Sequence, residues 1–152
     1  MTLTQLIYGV MKGLHDVFTV VWIGGLFMSS LVVQPVLKQN LENGQQLKRI
    51  MSSFQARFRK ITGISILGLL ITGVYLSRMQ PEFFGMFNFG NSYSTMLSIK
   101  IIIVLMMIGI MIVSGLLLKK QVNNFELITK SLMITNMVLG LVVIILSGFL
   151  AV

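Results

Sequence analysis

Cysteine is absent from this 152-residue chain, which excludes disulfide bonds, thiolate metal sites and thiol catalysis. Charge is scarce too: 11% of residues, against about 25% in an ordinary soluble domain. The acidic residues are four, Asp16, Glu42, Glu82 and Glu126, and no two share an apolar stretch, so paired-carboxylate acid–base chemistry within the apolar runs is excluded. There is one histidine, His15, and therefore no bis-histidine haem site within a single chain. No H-E-x-x-H, G-x-S-x-G or glycine-rich phosphate loop occurs. Proline appears twice, at Pro35 and Pro81, each near the end of an apolar run.

What fills the chain instead is hydrocarbon. Hydrophobic residues make up 55% of it and the mean hydropathy is +0.91. Four apolar stretches stand out: Leu14–Val33, Ile61–Leu76 with its flanks, Leu97–Leu118 and Leu132–Val152. A bilayer core of about 30 Å is crossed by about 20 apolar residues in a helix. In lipid the backbone must satisfy its own hydrogen bonds, so each stretch is expected to be helical. The expected fold is an all-α membrane protein, a bundle of four transmembrane helices forming one integral membrane domain over residues 1–152. The spans are expected at about 10–35, 58–78, 95–118 and 128–151, with Pro35 ending the first. That stretch lacks an A-x-A-like cleavage site and three more follow it, so it is read as a span and not a signal peptide.

The net charge of +8 is distributed unevenly. Lys38, Lys48, Arg49, Arg57, Arg59 and Lys60 lie between spans one and two, and Lys119, Lys120 and Lys130 between spans three and four. Only Lys12, Arg78 and Lys100 fall on the other side. The positive-inside rule then places both basic loops in the cytoplasm and both termini outside, in the plasma membrane. The basic residues suit anionic lipid headgroups, and no nucleic-acid partner is expected. Within Leu41–Phe58, the residues Leu47, Ile50, Met51, Phe54 and Phe58 recur at helical spacing with basic residues between them. This reads as a cytoplasmic amphipathic segment, either on the membrane surface or extending span two. The Pro81–Tyr93 loop carries Phe83, Phe84, Phe87, Phe89 and Tyr93 and is expected in the interface. Glycines recur in the spans, and Gly25 with Ser29 and Gly68 with Thr72 form small-xxx-small pairs that let helices approach closely.

Ionisable groups inside a span usually face the protein and carry function. His15, beside Asp16, lies inside span one, with Trp22 two turns on along the same face. Lys100 lies inside span three, which enters from the same side, and Lys12 and Arg78 flank that side. These residues are expected to cluster near the outer surface. Met96, Lys100, Met107 and Met111 share one stripe of span three, and Met11, Met79, Met86 and Met96 lie toward the outer side. Most such methionines pack, yet thioether sulfur also suits Cu(I), and imidazole suits copper or haem iron. Asn136, with Thr135, is polar in mid-span four and suits a helix–helix hydrogen bond.

The succession of motifs is specific enough to compare. Span one contains His15, then Trp22-Ile-Gly24-Gly25; span two opens with Arg57-Phe58 and closes on Thr72-Gly73; Lys100 opens span three. This succession resembles the copper-resistance protein D family over its four-helix part. It is also similar to the haem-binding, four-helix membrane protoporphyrinogen oxidases. Both resemblances imply His15 and Lys100 as site positions, and the first implies copper bound or translocated near the outer side; His15 is then expected as imidazole ligand, Met11 or Met96 as thioether ligand, and Asp16 as a support that orients the imidazole or pairs with Lys100. The second implies b-type haem held through His15, with Trp22, Arg78 and Lys100 about it and an oxidoreductase activity. In place of the oxidases' tyrosine-leucine-proline-arginine stretch and second histidine, this chain has Phe27-Met-Ser-Ser-Leu-Val-Val-Gln-Pro35. The typical copper-family member is also larger, with more spans. A homo-oligomer, or an accessory subunit of a larger membrane complex, completes the set of expectations.

Overall fold

The structure is a computed structural model, and it describes residues 2–41, 43–120 and 125–150. It contains four long helices: α1 (Leu3–Asn40), α2 (Gly44–Arg78), α3 (Ser92–Lys120) and α4 (Phe125–Phe149). All four are long and apolar enough to cross a membrane, and no strand occurs among the described residues. The starts are set locally. Thr2 and Gln5 form a reciprocal capping box on α1, while the Asn43 side chain accepts from Gln45 N–H at the start of α2. Large apolar residues such as Leu3, Val20, Ile64 and Leu67 lie exposed on the helix surfaces. In water that surface would be a liability; in a bilayer lipid covers it.

Span one departs from expectation at its end. Pro35 was expected to terminate it, yet α1 continues to Asn40. The reason is local. Two segments of α1, Val20–Gly24 and Ser29–Val33, are π-helical, and the second directly precedes the α-helical segment Gln34–Asn40. A wider π-turn displaces the carbonyl that a proline ring would meet. Pro35 then occupies the first turn of the resumed helix, where its missing N–H costs nothing.

Contacts divide the chain into two units, residues 1–81 and 82–152. In the first, α1 and α2 run antiparallel. From one end to the other, Gln80 Nε2 donates to Tyr8 Oη (3.2 Å), His15 meets Thr72, the Phe18 ring lies on Gly68 and the Phe58 ring lies on Gly25. A Cβ at Gly68 or Gly25 would collide with the facing ring, so glycine at these two positions is what lets the helices close. Gly63 and Gly109, and Gly148 near the end of α4, have nothing within 4 Å of a Cβ position, so these three are not close-approach sites. The segment expected to be amphipathic is continuous with α2, which runs unbroken from residue 44. Leu47, Met51, Phe54 and Phe58 are half-buried there, with the Phe54 and Phe58 rings stacked 6.1 Å apart, while Arg49, Arg57 and Lys60 are exposed.

In the second unit α3 and α4 pack against each other, with Leu97, Met107 and Val143 buried. The stripe of Met96, Lys100, Met107 and Met111 is half-buried or buried throughout, whereas Met106, off the stripe, is 53% exposed. The loop before α3 is tied down by its polar residues. Asn91 caps α3 by accepting from Ser94 N–H (2.9 Å) and donates to the Glu82 carbonyl (2.7 Å). Asn88 accepts from Gly90 N–H. These bonds leave Phe84, Met86, Phe87 and Phe89 exposed. Phe87 is held at φ +61°, a conformation that non-glycine residues seldom adopt.

Candidate metal site around His15

His15 lies more than three turns into α1, because the helix begins at Leu3 and not at the expected span start near residue 10. Its ring is half-buried against α2. The Nδ1 atom lies 2.9 Å from Thr72 Oγ1. Thr72 is itself buried, and its hydroxyl proton goes to the Gly68 carbonyl, 2.7 Å away and one turn back. A hydroxyl has one proton to give. With the Thr72 proton on the Gly68 carbonyl, the hydroxyl accepts from His15; the imidazole proton is then on Nδ1 and, in the neutral ring, the lone pair on Nε2. The His15 backbone carbonyl is satisfied as well, accepting from Thr19 Oγ1 at 2.8 Å.

Gly73 completes the floor under the ring. A Cβ there would stand 3.5 Å from His15 Cε1, an ordinary contact, so the position has room for alanine but not for a branched side chain. Met11, one turn before His15 on the same face of α1, is half-buried. Asp16 and Lys12 are exposed, and Arg78, the last residue of α2, is exposed as well. Trp22 is fully buried at the middle of α1. Lys100 and Met96 are half-buried on α3 in the second unit.

The residue that orients His15 is thus Thr72. In the sequence Thr72 reads only as half of a packing pair with Gly68 and as part of the Thr72-Gly73 motif. Its signal was there: a hydroxyl one turn from a glycine, at the depth of the sole histidine. The motif residues also explain one another. Thr72 and Gly73 of α2 receive His15, and Phe58 of the Arg57-Phe58 pair fills the gap left by Gly25. Among the described residues no three His, Cys, Asp or Glu side chains gather as a metal cluster. No protein-family model, curated protein or solved structure matches this chain.

Proposed function

We propose that this chain is a multi-pass plasma-membrane protein that binds copper through His15, near the outer side of the membrane, to hold it or pass it across. The observation that supports this reading is the His15–Thr72–Gly68 chain of contacts, which anchors the Nδ1 side of the imidazole to α2. An anchored second nitrogen is the usual arrangement of a metal-ligating histidine. Met11 supplies a soft thioether on the same face, as Cu(I) prefers. The nine basic residues around the two connections support an orientation with those connections in the cytoplasm and both termini outside.

Metal analysis and a visible spectrum of the purified protein test the reading together. Copper bound by wild type and lost in His15→Ala, with no Soret band, supports it. A Soret band that disappears in His15→Ala would replace copper by b-type haem at the same nitrogen. Equal copper content in the two proteins would remove His15 from the site.

A further inference from the structure

Halfway along the first helix pair, two polar side chains have no hydrogen-bond partner. Trp22 Nε1 and Thr62 Oγ1 are both buried, each residue being 1% exposed, and neither makes a bond. They occupy the same level. Trp22 lies between Phe18 and Gly25 on α1, and Thr62 between Phe58 and Gly68 on α2. The Phe18–Gly68 and Phe58–Gly25 contacts bracket both.

Thr62 Oγ1 and Ser30 Oγ are buried hydroxyls of this pair without a partner, and Thr62 is the one at the level of Trp22. Ser29, Ser65, Thr72 and Ser77 each donate to the carbonyl four residues back, at 2.6, 3.1, 2.7 and 2.7 Å. The Phe58 carbonyl offers Thr62 the same bond through a change of χ1. Thr62 forgoes it and keeps its hydroxyl for something else. Leaving both groups unsatisfied in a lipid-enclosed interface would cost roughly a tenfold loss in the folding equilibrium for each. The backbone is also special at this level, since Trp22 sits inside the Val20–Gly24 π-turn. Such turns loosen the helical ladder and can present a carbonyl to a further donor.

We propose that Trp22 and Thr62 bind one internal water molecule between α1 and α2. Its oxygen accepts from the indole N–H. The Thr62 hydroxyl is its second partner, which meets the minimum of the two to four partners a buried water needs. The two phenylalanine–glycine contacts flank this level on both sides along the helix axis. The water lies about two turns inward of His15, so polar chemistry extends from the outer half of the pair to its middle.

Trp22 is the only tryptophan, so indole spectroscopy of the full-length protein reads this site alone. Ultraviolet resonance Raman should show a hydrogen-bonded indole N–H in wild type. The infrared spectrum should contain an O–H stretching band that shifts in ¹⁸O-water and is missing from Trp22→Phe. In unfolding titrations the isosteric Thr62→Val and Trp22→Phe should be coupled by roughly threefold to tenfold in the folding equilibrium. An unbonded indole in wild type overturns the proposal. So does a bonded indole with no ¹⁸O-sensitive band, which would mean a direct Trp22–Thr62 bond. A Thr62→Val protein at least as stable as wild type, with no coupling to Trp22→Phe, overturns it as well.

Discussion

One hydroxyl governs the chemistry available to His15. When the Thr72 proton goes to the Gly68 carbonyl 2.7 Å away, the hydroxyl accepts from the imidazole and favours the Nδ1–H tautomer. Replacing it tests the role without touching the ligand. Thr72→Val removes the acceptor at nearly constant volume and should weaken copper binding roughly tenfold to a hundredfold, as loss of such an outer partner does at other sites. Thr72→Ser keeps the oxygen and should retain most of the affinity. A copper titration of the three proteins checks this, and equal affinities would show that the Thr72 bond only packs the ring. The sign of the pH dependence follows from the same atom. Protonation at Nε2 consumes the lone pair, so binding should weaken as pH falls, and His15→Ala should remove that dependence along with the binding.

At the scale of the helix, close approach is confined to a few glycines, and the sequence could not say which. Gly63, Gly68 and Gly73 lie on one helix and look alike as letters. Only Gly68 takes an aromatic ring directly against its Cα, Gly73 takes the edge of the imidazole, and Gly63 meets nothing within 4 Å. Gly68→Ala should therefore destabilise the protein by about 1–3 kcal/mol through collision with Phe18. Gly63→Ala should be neutral or stabilising by up to about 1 kcal/mol, since alanine is the better helix former. Denaturation in mixed detergent micelles would show the order, and equal effects would refute the packing assignment. The same limit explains Pro35. Composition marks it as a helix breaker, but the π-turn that accommodates it depends on how α1 packs, and no residue between Ser29 and Val33 announces a π-turn. Thr72 was hidden for a related reason: its partner is 57 residues away in sequence, and only the register of α1 against α2 brings the two together.

For the whole molecule, hydrophobicity made the four helices legible almost completely, because lipid admits no alternative secondary structure. Their ends were less legible. The expected spans began near residues 10 and 58, whereas α1 and α2 begin at Leu3 and Gly44. At 1.5 Å per residue, α1 and α2 measure about 55 and 50 Å, well beyond a hydrocarbon core of about 30 Å. Helices of that length must project from the membrane, and the charge pattern indicates where. Arg49, Arg57 and Lys60 are exposed on the first half of α2, and Lys38 is exposed in the last turn of α1. The basic end is the one expected to project, and on the proposed topology it lies in the cytoplasm. The opposite end carries the Phe84, Phe87 and Phe89 loop, whose exposed rings suit the outer interface. Single cysteines at Gln45 and Asn88 separate the two ends in a chain with no cysteine of its own. In intact cells a membrane-impermeant maleimide should label Asn88→Cys, and it should reach Gln45→Cys only after the cells are opened. Labelling of Gln45→Cys from outside would invert the topology and move His15 to the cytoplasmic half of the membrane. Copper would then be captured from the cell interior.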